Sequence, residues 1–481
     1  MTAEPPAPAP QARPLRSSLI TLGGNAAGQA LRLVSNLLLT RLLFPEAFGL
    51  MALVLLITQG LQMISDVAIA QSIIQHKRGE EPAFLDTAWT VSVIRGVVLL
   101  LASLAVAWPM SVLYDQPALL AMVPVTALSA LFQGFESTNV AVAWRRMHNG
   151  RLVLLDLGTQ VAALLINVAL AYTTRSVWAL VVGLAGSQLL RSLASHLFLP
   201  GRRNHFLLDK EVLAHLLSFG KWIILSTFIT FIAGRFDMLV LGKLVSIDAL
   251  GVYSLANVLA SVPTTVVGAV LGAVVAPLLA RGHRESMAGL QTANASVRRF
   301  LYPAMALCVL GTSLAAPPFF ALLYKEAYAD AGWIAPLLML SVWFALLQDA
   351  ATRSYLALGD SRPLVAANTV RLAAGIGGAL AGYALYELPG FIIGNAIGPL
   401  ASTMLLAAGL ERRGLPTLRG DLSWSVLVIA IGAAGIALPA FVVRNTELST
   451  TVASIVVALV ILGAVAALLG PRLLRDYRAT R

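Results

Sequence analysis

LLLTRLLFPEAFGLMAL, residues 37–53, aligns without a gap on LVLGKLVSIDALGVYSL, residues 239–255. The constant offset pairs Arg41 with Lys243, Glu46 with Asp248 and Gly49 with Gly251. Each copy closes one apolar run, passes through a short polar turn and opens the next run. Both copies therefore mark the outer turn between the first and second helices of a bundle. Copies running in the same sense are related by an axis along the membrane normal, and two such halves around a cavity form a transporter architecture.

The apolar runs on either side of the two copies set the fold class. Of the 481 residues 58% are hydrophobic and 12% charged, with a mean hydropathy of +0.81, which excludes an ordinary soluble chain. A hydrocarbon core of about 30 Å takes about 20 apolar residues per helical crossing. Runs of that length predict helices over 17–43, 50–72, 85–108, 118–144, 152–172, 176–199, 218–242, 248–279, 298–322, 332–358, 363–386, 388–410, 422–443 and 449–471. The expectation is an all-α integral membrane protein of about fourteen transmembrane helices, arranged as two pseudo-symmetric six-helix lobes, 17–200 and 218–414. A cytoplasmic connection, 201–217, joins the lobes, and 415–481 supplies a last helix pair and a basic C-terminus. Residues 1–16, rich in Pro and Ala, read as a disordered cytoplasmic tail.

The net charge of +11 comes from 34 Lys and Arg against 23 Asp and Glu, and its distribution matters more than its sum. With a cytoplasmic N-terminus, the outer segments carry only Arg41, Arg175, Lys243, Lys325 and Arg444. Most of the other basic residues gather in the alternate loops, as the positive-inside rule requires. Both termini are thus expected in the cytoplasm, and the charge points to a membrane surface and not to nucleic acid. Cys308 is the single cysteine, so the chain can form no internal disulfide. There is no G-x-x-x-x-G-K-[ST] phosphate loop and no H-E-x-x-H pair among the six histidines, so neither ATP hydrolysis nor metal chemistry is expected, and no cofactor.

GRFDMLVLGKLVSIDALGVYSLANVLASVP (Gly234 to Pro263) resembles the signature of polysaccharide transporters of the MOP exporter superfamily, the group that includes Wzx-type flippases. FPEAFGLMAL (Phe44 to Leu53), ISDVAIAQSIIQ (Ile64 to Gln75) and FQGFESTN (Phe132 to Asn139) are similar to it in the first half. The resemblance implies a flippase of the bacterial inner membrane that turns a polyprenyl-pyrophosphate-linked oligosaccharide from the cytoplasmic to the periplasmic leaflet, by alternating access. It implies as partners the lipid-linked oligosaccharide, the bilayer, and a polysaccharide polymerase with its export machinery. The residues alone reach only as far as a transporter.

Ionisable groups inside membrane helices are costly and so are candidates for function. Arg32, Arg95, Arg191, Arg235, Arg353 and Arg371 lie in the expected helices, together with Asp66, Glu136, Asp156, Asp237 and Asp349. A guanidinium offers a planar fork of donors suited to phosphate oxygens. Arg32 and Arg235 occupy nearly matching places in the two repeats, since the offset carries Arg32 onto Gly234. Arg95 is deep in the third helix. These three are the expected substrate contacts. Asp66, Asp156 and Asp237 are candidates for ion coupling or for ion pairs, and Asp349 and Arg353, four apart on one helix face, for mutual neutralisation. Rival readings are a cation-coupled multidrug exporter, a peptidoglycan-precursor flippase of the same superfamily and a membrane glycan polymerase. Intramembrane arginine argues against the first, and the lack of a long outer loop against the last.

Overall fold

The computed structural model describes residues 12–64, 69–146, 149–445 and 449–479, and every regular element among them is helical. Eight of the described helices are long and apolar enough to cross a membrane, and one bent pair adds a ninth candidate. The chain packs as two compact units that divide after Asp248.

The first unit contains α1 (Ala12–Leu42), α2 (Pro45–Ile64), α3 (Ile69–Gln75), α4 (Pro82–Leu113), α5 (Leu119–Gly134), α6 (Asn139–Arg145), α7 (Asn149–Thr174), α8 (Trp178–Phe198) and α9 (Lys210–Leu244). Here α1 starts at Ala12, inside the stretch expected as tail, with Pro14 in the first turn, where its missing N–H breaks no hydrogen bond. A single helix was expected over 118–144, but α5 and α6 meet at 61°. The polar run Glu136 to Asn139 supplies the break.

Hydropathy places α9 at the head of the second lobe, whereas its packing on α2 and α4 places it in the first unit. The connection before it is pinned to α4 and to the α5/α6 break. Arg202 and the His205 N–H bind the buried Asp86 carboxylate at 3.0 and 3.1 Å. The N–H groups of Leu207 and Asp209 each donate to a threonine hydroxyl, Thr90 and Thr87, at 3.0 Å. Asn204 donates to the Thr138 hydroxyl at 2.6 Å. The helix then begins at Lys210, well before residue 218, because the Asp209 carboxylate accepts from the N–H of Glu211 and Val212 and Glu211 complements the first-turn dipole.

The second unit holds α10 (Ile247–Val270), a π turn (Leu271–Val275), α11 (Ala276–Glu285), α12 (Met287–Leu323), α13 (Ala331–Ala357), α14 (Arg362–Asn395), α15 (Ile397–Glu411), α16 (Leu418–Asn445) and α17 (Thr450–Ala479). Within α14 the backbone breaks at Tyr386 and Glu387, the latter at φ 51°, and Pro389 follows. The chain doubles back there on a row of glycines. A Cβ at Gly382 would lie 2.0 Å from the Gly390 carbonyl oxygen, and one at Gly394 2.0 Å from that of Gly378. A Cβ at Gly398 would lie 2.4 Å from the Arg371 oxygen. Only glycine lets the two backbones approach so closely. The C-terminal pair is tied in by a buried cluster: Arg298 of α12 donates to Asp421 of α16 at 2.6 Å, and Tyr302 donates to the same carboxylate at 2.7 Å. Trp343 of α13 adds a 2.8 Å bond to Ser425 of α16.

Candidate functional site

Two of the three arginines expected to meet substrate are gathered by α2. Arg95 of α4 donates to the Gln62 carbonyl oxygen at 3.0 Å, and Arg235 of α9 approaches the Gln59 side-chain oxygen at 3.5 Å. Gln59 and Gln62 are one helical turn apart, so the two guanidinium groups reach neighbouring levels of one helix. Both arginines are half-buried. Arg32 is exposed on α1, which packs on α7, and has no described bond to this group. A neutral amide orients a guanidinium without cancelling its charge.

Of the candidate acidic residues, Asp66 lies outside the described residues, and Asp237 is half-buried on α9. Asp156 forms an ion pair with Arg191, whose Nε also holds Glu136 at 3.0 Å. This three-membered network sits where α5 breaks. There α8 also presents Ser195, which accepts the Ser137 N–H at 2.9 Å, and His196, 2.8 Å from the Phe135 oxygen. Arg191 thus braces the break. Glu136 in the middle of FQGFESTN was the readable sign of a partner for it.

Asp349 and Arg353 stand 3.9 Å apart, a loose pair on one helix face. Asp349 also lines a cavity of about 410 Å3 with Thr264, Gln348, Thr352, Asn368 and Arg371. Arg371 donates to the Gln348 side-chain oxygen at 3.4 Å, and the Gln348 amide donates to Asn368 at 3.2 Å. Gln348 and Asn368 carry no charge, so neither stands out in the apolar sequence. The signal available was neutral: two amides on adjoining apolar helices, Gln348 buried and Asn368 exposed.

A family model described as "Polysaccharide biosynthesis protein" matches residues 38–331. The amylovoran biosynthesis protein AmsL of Erwinia amylovora is 25% identical over 272 residues, covering 56% of this chain and 70% of that protein. The succinoglycan biosynthesis transport protein ExoT of Rhizobium meliloti is 26% identical over 246 residues, covering 50% of this chain and 49% of its own length. In fold, the chain is similar to the lipid II flippase MurJ in an inward closed conformation, with a TM-score of 0.71 at 11% identity over 96% of this chain and 100% of that one. It is also similar to an inward-facing multidrug resistance MATE family transporter of the MOP superfamily, with a TM-score of 0.58 at 17% identity, over 84% of this chain and 95% of the other.

Proposed function

The chain belongs to the polysaccharide biosynthesis protein family, and from that membership we propose that it is a flippase for a polyprenyl-pyrophosphate-linked oligosaccharide. It would carry the unit from the cytoplasmic to the periplasmic leaflet of a bacterial inner membrane, through fourteen helical crossings with both termini in the cytoplasm. Membership supports the glycan pathway, and the MOP-type fold over nearly the whole chain supports transport over covalent chemistry.

The observation that carries the substrate class is the neutral holding of Arg235 by Gln59. A charged donor kept in register by an amide favours an anionic group at membrane depth, where a hydrated cation would be repelled. Arg95, one turn along α2, and Arg32 complete the pyrophosphate contacts in this reading, while the sugar occupies an aqueous cavity and the lipid tail stays in the bilayer. Two lobes rocking about the substrate expose it to each side in turn.

The test is depletion of the protein in its native cell, followed by extraction of polyprenyl-linked glycans and assignment of the leaflet they face. Completed oligosaccharide accumulating on the cytoplasmic side is the expected result. Completed units that reach the periplasmic face and stay unpolymerised would favour a polymerase, and no change in any lipid-linked glycan a small-molecule exporter.

A further inference from the structure

The cavity of the second unit is a built polar site formed by α10, α13 and α14. Its 410 Å3 falls within the range of about 300–1,000 Å3 common for small-ligand pockets. Three helices supply its polar wall: Thr264 from α10, Gln348, Asp349 and Thr352 from α13, and Asn368 and Arg371 from α14. These groups hold one another. The Gln348 oxygen accepts from Arg371 and its amide donates to Asn368, while Thr352 donates to the Gln348 carbonyl oxygen at 2.9 Å. Thr264 likewise donates to its own helix, at Ser261, at 2.7 Å.

We propose that this cavity is a subsite for one neutral sugar ring, gripped through its hydroxyl groups; the inference rests on the transport reading above and deepens it. The charges select the ligand. Arg371 repels a cation, and Asp349 on the same wall, only loosely paired with Arg353 at 3.9 Å, repels phosphate or carboxylate. A neutral ligand that both donates and accepts satisfies both, and a ring of hydroxyl groups does so from every side. With Gln348 engaged at both ends, the wall offers the Arg371 and Asn368 N–H groups as donors, and the Asp349 carboxylate and the Thr352 and Thr264 oxygens as acceptors. Because Arg371, Asn368 and Thr352 are already held on Gln348, a ligand meets groups that need little further ordering.

The test uses the purified full-length protein in lipid nanodiscs and follows Tm against a panel of neutral methyl glycosides of hexoses and N-acetylhexosamines, with inorganic pyrophosphate alongside. A ligand that binds the folded state raises Tm as its concentration passes Kd. At least one glycoside is expected to raise Tm saturably, and Asn368→Ala and Thr352→Val each to weaken that response about tenfold, the loss of roughly one net hydrogen bond. Pyrophosphate stabilisation abolished by Arg371→Gln, with no response to any glycoside, would make this an anion site and overturn the proposal. Silence toward the whole panel, or a glycoside response that survives both variants, would overturn it as well. The leaflet measurement separates the two readings. Cytoplasmic accumulation on depletion together with no glycoside binding sinks the subsite alone, while glycoside binding with unchanged leaflet distribution sinks the transport reading.

Discussion

At the scale of single residues, the charged groups divide into those cancelled by an opposite charge and those held by neutral oxygen. Arg298 and Asp421 are the clearest of the cancelled kind, with side chains 6% and 0% exposed and a shared partner in Tyr302. Removing one member strands the other in a dry site, so Asp421→Leu should cost about 3–5 kcal/mol, read as lost Tm or lost yield of folded protein. The double change Arg298→Met with Asp421→Leu should recover most of that, because no uncompensated charge remains. Arg235 is of the other kind. Lysine there keeps the charge but loses the fork, so Arg235→Lys should cut export by about tenfold or more at unchanged protein level, the scale of one charged hydrogen bond of roughly 1.5–3 kcal/mol. Equal export by the variant would remove Arg235 from the site. The sequence made the arginines visible because charge in an apolar run stands out. It could not show which partner each one meets, since Asp156 is brought to Arg191 and Asp421 to Arg298 only by helix packing. Gln59, Gln348 and Asn368 escaped notice for the opposite reason: a neutral amide barely disturbs hydropathy.

At the scale of elements, helix position was legible from apolar length, but helix ends and bends were not. Asp209 extends α9 backward by capping it, and the polar run after Gly134 breaks a span that hydropathy reads as continuous. The doubling back of α14 was legible as a boundary near Glu387, whereas the glycine row that closes it is a property of two strands of backbone facing each other. A methyl at Gly382 or Gly394 has to push the facing backbone away, so Gly382→Ala and Gly394→Ala should each sharply lower the yield of folded protein. Gly377 has open space at its Cβ, so Gly377→Ala should be neutral or stabilise by up to about 1 kcal/mol. Equal behaviour of all three variants would show that the close approach does not govern folding. Beyond the apolar spans, the turn after α3 carries a pH-dependent contact. The His76 ring stacks on Phe84 at 4.9 Å and lies 4.5 Å from the His215 ring on α9. Its pKa is lowered by desolvation, by His215 and by the cations Arg78 and Arg145, with Glu81 opposing. A histidine whose folded pKa is depressed binds its proton more readily when the contact opens. The contribution is therefore intact above the ordinary value of about 6.5 and fades as pH falls below it. Hydrogen exchange at the start of α9 should accelerate as the pH is taken below that value, after correction for the intrinsic rate. His76→Phe, which keeps the stack and removes the titration, should flatten the response.

At the scale of the whole molecule, the repeat, the loop charges and the chain reversals must agree on one topology. Each unit is compact in itself. The repeat relates sequence, while packing relates neighbours, which is how α9 can open the second repeat and still belong to the first unit. In the proposed topology, fourteen crossings with both termini inside fix a side for every turn. They put Asp115, Arg175, Lys325 and Glu387 outside, and Lys77, Asn204, Arg284, Gly359 and Gly414 inside. The doubling back of α14 bears on the parity, because the stretch from Arg362 to Glu411 is one apolar run by composition, yet it breaks at Tyr386 and Glu387 and the proposed topology reads it as two crossings. If that stretch crossed only once, every later turn would change sides and the basic C-terminus would face outward, against the positive-inside rule. Single cysteines introduced at these nine positions in a Cys308→Ser background, treated in whole cells with a membrane-impermeant maleimide, test the arrangement directly. Labelling is expected at 115, 175, 325 and 387, and at the other five only after the membrane is opened. Labelling of position 414 in intact cells, with 359 still protected, would make 362–411 a single crossing and move the C-terminus outside. An inversion that began before 204 would instead undo the assignment of the repeat to the outer turns, and with it the parallel relation of the two halves on which the rocking mechanism depends.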